Sequence, residues 1–280
     1  MPAGATRLDA ELVRQGLARS RRRAADLVAE GRVRLAGQVA RKPSQSVPAT
    51  SVIAVTGARD QYVSRGAYKL AGALDALDAA GSPVLVSGRR CLDAGASTGG
   101  FTQVLLERGA TQVVAVDVGH DQLSPVLAGD PRVVSREGTN VRDLVAQDVG
   151  GAVDLVVADL SFISLTLVLP RLAALVRSSG DILVLVKPQF EVGRERLGSS
   201  GVVTDVEGRV DAVRQVIEAA GPVGRVAAVA PSPLPGPKGN REYFLLLRPG
   251  IGPATNRDAT AAVDAAVREG RTTVIRDGGL

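Results

Sequence analysis

Four ionisable side chains and one glycine-rich turn stand out in this 280-residue sequence as able to do chemistry. Asp159 closes the apolar run VVAD, and Lys187 closes LVLVK; each is a β-type pattern ending on a charge. Lys69 lies in the helical stretch SRGAYKL, and Glu242 opens the last apolar strand, directly after PGPKGNR. In a parallel sheet ligands bind at the carboxyl ends of the strands, so charges at those ends face the ligand. The lysines are Lys42, Lys69, Lys187 and Lys238 only, against thirty arginines. Arginine holds its proton at any working pH, so a retained lysine suits a position where protonation must change. The segment RCLDAGASTGGF, 90–101, is a strand running through a glycine-rich turn into a helix, a pattern that holds nucleotides. A phosphate-binding loop needs Gly-Lys-Ser/Thr at the helix start, which is absent. A dinucleotide fingerprint needs glycine where Ser97 stands, which argues against a pyrophosphate.

The elements that must position these residues follow from hydrophobic period and breakers. Arg7–Arg19 reads as a helix with Leu8, Leu12 and Val13 on one face. Ser20 reads as the N-cap of a second helix with Ala24, Ala25, Leu27 and Val28 inward, ended by Gly31. Val33–Leu35, a turn at Gly37 and Val39 form a hairpin, and Ser51–Val55 a further strand. Beyond, helices are expected at Ser64–Ala79, Gly99–Arg108, Ile163–Val176 and Val206–Ala220. Strands are expected at Arg90–Ala94, Gln112–Asp117, Val133–Ser135, Val153–Asp159, Asp181–Val186, Arg225–Ala230 and Tyr243–Leu247. This alternation predicts an α/β fold, a doubly wound and mostly parallel sheet. After Pro249 the pattern weakens to a short helix at Ala259–Arg268, with the last dozen residues expected to be disordered. The expected organisation is therefore a small α+β domain over 1–56, a linker over 57–63, the α/β domain over 64–249 and a tail over 250–280.

Charge divides the chain the same way. Residues 1–60 hold 11 Arg and Lys against 5 Asp and Glu, while the remaining 220 hold 23 against 24. All the excess positive charge thus sits on the small domain, which suits either a polyanion such as nucleic acid or a solvated basic face. The single cysteine, Cys91, excludes an intramolecular disulfide and any multi-thiolate zinc site, and reads as core packing. The single histidine, His120, removes His-pair metal sites, and no metal is expected. No apolar stretch approaches a membrane span, and the charged N-terminal segment has no apolar signal core; both point to the cytoplasm and away from a membrane.

The Asp-x-Gly-x-x-x-Gly-Gly spacing resembles motif I of Rossmann-like class I methyltransferases, whose turn takes the methionine part of S-adenosylmethionine. That resemblance implies a cofactor site over Asp93, Gly95, Ala96, Ser97, Thr98, Gly99, Gly100 and Phe101. Asp117, ending the next strand beside Val118, is placed to accept both ribose hydroxyls, and Asn140 with Val141 would flank the adenine. The stretch RLDAELVRQGLARSRRRAADLVAEGRVRLAG is similar to S4 RNA-binding domains. Taken with SRGAYKL, DAGASTGGFT, VADLSFISL, LVKPQFEVGR and PGPKGNREYF, the whole chain to about Arg248 resembles the TlyA (hemolysin A) family, ribosomal RNA 2′-O-methyltransferases joining an S4 domain to an FtsJ-like domain.

The resemblance implies a Lys-Asp-Lys-Glu tetrad on Lys69, Asp159, Lys187 and Glu242, and a cytidine in 16S or 23S RNA as substrate. A ribose hydroxyl must lose its proton as it attacks the sulfonium methyl, and a lysine amine can assist. Lys187 is assigned nearest the hydroxyl with Lys69 as the neighbouring charge, while Asp159 and Glu242 orient the two. RNA contacts are expected at Arg7, Arg19, Arg21, Arg23, Lys42 and Arg65, since arginine forks and a helix N-terminus both favour phosphate. Phe162, three residues past Asp159, either stacks on the target base or packs in the core. His120 either touches the cofactor pocket or stands in solvent at a helix start. Partners are ribosomal RNA or ribosomal subunits, with no obligate protein partner evident. At Asp60-Gln61-Tyr62-Val63 the chain departs from the Arg-x-Trp-Val linker usual in the family, and at His120 from an aromatic. A binding-only assembly factor has no need of the two lysines, and a pore-forming toxin lacks any membrane segment here.

Overall fold

The computed structural model describes residues 5–18, 20–48, 50–56, 62–193, 196–197, 200–250 and 256–275. The chain divides into two compact units, Met1–Gln61 and Tyr62–Leu280.

In the first unit β1 (Ala5–Arg7) leads directly into α1 (Leu8–Arg14), followed by α2 (Arg21–Ala29). Then come β2 (Val33–Leu35), β3 (Gln38–Val39), β4 (Ser46–Pro48) and β5 (Ile53–Val55). The first helix is shorter than its periodicity suggests: Arg7 is held extended by the ladder of Ala5–Arg7 to Ser46–Pro48, and at the other end Gly16, at φ +69°, stops the helix after Arg14. Ser20 caps α2, its hydroxyl accepting from the Arg23 amide at 3.1 Å. Strands β3, β2 and β5 form the second small sheet. Leu8, Leu12, Ala24, Leu27, Val28, Val33, Val47 and Ile53 are buried together, a core drawn from both helices and both sheets.

The second unit opens with α3 (Arg65–Ala79), then β6 (Arg90–Ala94), α4 (Gly100–Glu107), β7 (Gln112–Val116), α5 (Pro125–Ala128), β8 (Val133–Arg136) and β9 (Val153–Ala158). After a 3-10 turn at Leu165–Leu167 follow α6 (Leu169–Leu175), β10 (Val176–Val186), α7 (Pro188–Glu191), α8 (Val206–Ala220), β11 (Arg225–Pro231), β12 (Tyr243–Arg248), α9 (Asn256–Arg268) and β13 (Thr273–Val274). The helix expected over Ile163–Val176 is thus broken. Pro170 has no N–H to give to a preceding turn, so α6 starts beside it, and Val176 already belongs to β10.

One eight-stranded sheet carries the order β13-β11-β12-β10-β9-β6-β7-β8. From β6 the chain runs outward through β7 and β8, then returns to place β9 on the other side of β6, all in parallel. That reversal between β6 and β9 is the switch point where doubly wound sheets open a ligand crevice. Strands β12 and β11 close the other side antiparallel. The central strands are buried on both faces, which is why LVLV and VVA read as continuous apolar runs rather than alternating ones.

Two elements of the expected tail, α9 and β13, pack onto the second unit. From α9, Ala262, Val263, Ala266 and Val267 enter the main core, and Thr273 and Val274 pair with Val229 and Ala228. Of the last dozen residues, expected to be disordered, Thr273 and Val274 thus pair at a sheet edge and Ile275 is buried. Residues 276–280 lie outside the described set, as do 57–61 of the expected linker; Tyr62 and Val63 belong to the second unit.

Candidate active site

The carboxyl ends of β6, β9 and β10, with the start of β12, converge on one edge of the sheet. Val186 pairs with Tyr243 as the last rung between β10 and β12, so Lys187 and Glu242 stand opposite each other one residue beyond it. Asp159 follows β9, and its amide donates to the Ala94 carbonyl at 3.0 Å, stitching it to the end of β6. A Cβ on Gly95 would lie 2.6 Å from the Asp159 carbonyl oxygen, so only glycine lets the turn come this near the acid. Gly100 does the same for α3. A Cβ on Gly100 would collide with Ser64 Oγ, and one on Gly66 would sit 3.7 Å from Asp159 Oδ2. Gly66 of SRGAYKL thus lies beside Asp159, and Lys69 follows on the next turn of α3.

Two lysine–carboxylate pairs result. Lys187 Nζ lies 2.6 Å from Asp159 Oδ1 and donates to Ser161 Oγ at 2.9 Å. Lys69 Nζ lies 2.5 Å from Glu242 Oε2. Lys69 and Lys187 are 6% and 8% exposed, and Glu242 is buried beside them. Buried charges persist when paired and hydrogen-bonded, and both lysines meet that condition. The four tetrad positions read from the sequence are thus brought together as two ion pairs.

Phe162 projects from the loop after β9, 91% exposed, so the core alternative does not hold. Its φ of +64° is a left-handed conformation that a bulky residue adopts only when neighbours impose it. Those neighbours are in place on both sides. Ser161 is held by Lys187, while Glu191 accepts from Ser164 Oγ at 2.6 Å and from the Leu165 amide at 3.0 Å. Burial pushes the Glu191 carboxyl above the usual range, against the pull of these two donors. The Phe190 ring backs Phe162 at 5.2 Å, and Lys187 Nζ is 6.0 Å from the Phe190 centroid. Ser161, Ser164 and Glu191 were not singled out in the sequence. Their signal is the Ser-x-x-Ser bracket around Phe162 and an acid four residues after Lys187 on α7.

On the other side of Gly95 the turn leads to Asp117. Its carboxylate accepts from the Ser97 amide and from the Gly119 amide, each at 2.8 Å, fixing it at the end of β7. Ser97 has φ +47°, so this turn uses a left-handed residue just where glycine would be easiest. Ser97 and Thr98 are exposed, Ala96 and Gly99 buried. Gly99 starts α4 at φ +92°, packed under Leu123 and Leu127. Asp93 is fully buried; Thr102 donates to its Oδ2 at 2.7 Å, while Oδ1 has no partner. Burial pushes its carboxyl up to about 7, opposed by the Thr102 hydrogen bond and reinforced by Asp159 and Asp117.

The remaining sequence-predicted positions differ in what they present. Phe101 is buried and stacks on Phe244 at 6.1 Å, so its ring serves the core. Val141 is buried too, whereas Val118 is exposed and the Asn140 side chain accepts from the Arg142 amide at 3.0 Å. His120 is exposed in a turn against Gly138, not at a helix start. Glu137 accepts from the Asp121, Gln122 and Leu123 amides and so shapes the loop after β7. Cys91 is buried in β6, and desolvation pushes its thiol up to about 12, as packing rather than reactivity requires. Arg65 is exposed on the first turn of α3.

In the first unit Arg7, Arg21 and Lys42 are exposed, and Arg23 pairs with Glu30 at 2.8 Å. Arg19 lies outside the described residues. Among the described residues no helix is long and apolar enough to cross a membrane, and no cluster of three or more His, Cys, Asp or Glu could hold a metal.

Comparison with known proteins matches each unit to a family. Residues 62–249 match the FtsJ-like methyltransferase family, and residues 6–53 match the S4 domain. The chain is 52% identical over 94% of its length to the 16S/23S rRNA (cytidine-2′-O)-methyltransferase TlyA of Mycobacterium tuberculosis, covering 98% of that protein. It is 39% identical over 88% of its length to the Bacillus subtilis protein YqxC, provisionally named an rRNA methyltransferase, covering 87% of it. A solved Streptococcus thermophilus chain, provisionally named a hemolysin, is 34% identical with a TM-score of 0.74, covering 95% of this chain and 97% of that one. The chain belongs to the FtsJ-like methyltransferase family, in the TlyA group that carries an S4 domain ahead of the methyltransferase fold.

Proposed function

We propose that the protein transfers a methyl group from S-adenosylmethionine to the ribose 2′-hydroxyl of a cytidine in ribosomal RNA, acting on ribosomal subunits in the cytoplasm. The observation that carries this reading is the pairing of Lys187 with Asp159 and Lys69 with Glu242 at the strand ends that abut the glycine turn. The names of the M. tuberculosis and B. subtilis relatives support the ribosomal substrate.

The residues around the turn fit this cofactor. Asp117 is anchored by two amides with lone pairs left over for a ribose diol, Val118 offers an exposed apolar surface beside it, and Ser97 and Thr98 are open to a ligand. When bound, S-adenosylmethionine supplies an electrophilic sulfonium methyl. Gly95, by its close approach to Asp159, brings the cofactor turn and the acid of the first pair into contact.

Lys187 handles the hydroxyl proton. Its nitrogen is tetrahedral, and Asp159 and Ser161 occupy two of the three directions away from the side chain. In the resting ion pair the third direction carries an N–H; once that proton is lost to solvent it carries a lone pair, and Nζ takes the 2′-hydroxyl proton there, so that one proton leaves the site per turnover. Asp159 then stabilises the ammonium that results. Lys69 and Glu242 form a second pair that holds positive charge near the developing alkoxide without adding net charge. General-base help of this kind is worth about 10²–10⁴-fold, and alignment of hydroxyl and methyl supplies much of the rest. Phe162 stacks on the target base once the nucleotide leaves its helix, and its exposed, neighbour-held position suits that role.

Methyl transfer from labelled S-adenosylmethionine to purified small and large ribosomal subunits tests the reading, with wild type beside Lys187→Ala. Label on RNA that falls about 10³-fold in the variant is expected. No label on either subunit, with both RNA and cofactor bound, would leave a binding-only protein.

A further inference from the structure

One buried carboxylate holds two of the arginines proposed to contact RNA. Arg7 donates from Nε to Asp9 Oδ1 at 3.1 Å and from Nη2 to Oδ2 at 2.8 Å. Arg21, from the first turn of α2, donates from its Nη2 to the same two oxygens at 3.3 and 3.2 Å. The Asp9 side chain is 7% exposed, while those of Arg7 and Arg21 are 50% and 59% exposed. The anchor is therefore inside and both guanidinium planes stand in water. Each arginine has five N–H donors. The contacts to Asp9 engage the Nε–Nη2 edge of Arg7 and a single nitrogen of Arg21, leaving Nη1 of both outside this clamp.

Two guanidinium groups drawn to one point repel each other, and each loses rotamer freedom when it grips an anion. Asp9 settles both in the free protein. The Ala10 amide donates to Asp9 Oδ1 at 2.8 Å, which fixes the carboxylate itself at the start of α1. We propose that Asp9 is a positioning residue for RNA binding, clamping Arg7 and Arg21 into one preformed fork that grips backbone phosphate. The proposal rests on the reading of the S4 unit as the RNA-binding part of the chain. It reverses the sign given by counting charge: removing an acid from a basic module should tighten binding to a polyanion, whereas removing this acid loosens it.

Glu11 supplies a matched control. It is also a buried carboxylate on α1, but its partners are Arg14 and Gln15, which lie outside the proposed RNA contacts. Purified ribosomal subunits are titrated at several KCl concentrations with the full chain as wild type, Asp9→Asn, Glu11→Gln, Arg7→Ala, Arg21→Ala and Asp9→Asn/Arg21→Ala. Asp9→Asn is expected to weaken binding about tenfold and to flatten the dependence of log Kd on log[KCl] by about one phosphate contact. Glu11→Gln, with the same gain of charge, stays within about twofold of wild type. The double variant binds about as weakly as Arg21→Ala alone, because both changes disable one fork.

Asp9→Asn binding as tightly as wild type, while Arg21→Ala is weakened, overturns the clamp and leaves the RNA-binding reading standing. Wild-type affinity in both Arg7→Ala and Arg21→Ala overturns that reading and the clamp with it. Should Asp9→Asn not fold, Arg7→Lys/Arg21→Lys keeps both charges without the fork geometry and is expected to lose affinity comparably. Undiminished binding there would contradict the proposal.

Discussion

Both units of this molecule pair cations with carboxylates, and they do so in opposite ways. In the S4 unit the carboxylates of Asp9 and Glu11 are buried and their arginine partners reach into solvent. In the methyltransferase unit the lysines themselves are buried, each against an acid at a strand end. The difference sorts function by physics. An exposed arginine keeps its charge at any pH and can meet a phosphate through a fork, but its attraction is screened by salt. A buried lysine is shielded from salt and is a compact group that can exchange a single proton. The Arg7 and Arg21 contacts hold Asp9 down at about 2, so that clamp stays ionised under all working conditions. On the proposed reading, one unit holds a polyanion and the other moves a proton.

That contrast can be broken at either end. The largest effect outside the lysines is expected at Asp117, proposed to accept from the ribose diol. Asp117→Ala should weaken S-adenosylmethionine binding about 100-fold by calorimetry and leave RNA affinity unchanged, since two hydrogen bonds to a charged acceptor are lost. Equal loss in both ligands would mean that the residue supports the fold rather than the cofactor. A smaller effect is expected in the S4 unit. Arg21→Ala/Arg23→Ala should weaken RNA binding about tenfold at low salt, with a shallower salt slope and unchanged cofactor affinity. An unaltered salt slope would remove these arginines from the interface.

Much of this arrangement is legible in sequence where the physics is local. Strand Arg90–Ala94 and helix Val206–Ala220 match their expected bounds to the residue, because each pattern is carried within its own segment; in the structure Asp205 caps the helix, accepting from the Glu207 and Gly208 amides. Lys187, Asp159 and Glu242 are legible because they interrupt apolar runs at strand ends. What escaped is set by tertiary contact. Strand β1 exists only through its ladder to β4, and β13 only through β11. The left-handed turn at Phe162 depends on Ser161 and Glu191, two side chains whose roles appear only when the loop and α7 meet. Phe101, by contrast, looks like part of a cofactor motif yet packs on Phe244, because motif spacing fixes the backbone and not which face a ring takes.

The central claim is that Lys187 acts by exchanging a proton and not by charge alone. Lys187→Arg keeps the positive charge and a donor for Asp159 but cannot release a proton at working pH. Single-turnover methyl transfer by this variant, with RNA and cofactor both saturating, tests the claim directly. The account predicts a rate at least about 100-fold below wild type with both ligands still bound. Transfer at the wild-type rate would contradict it and reduce Lys187 to a fixed charge.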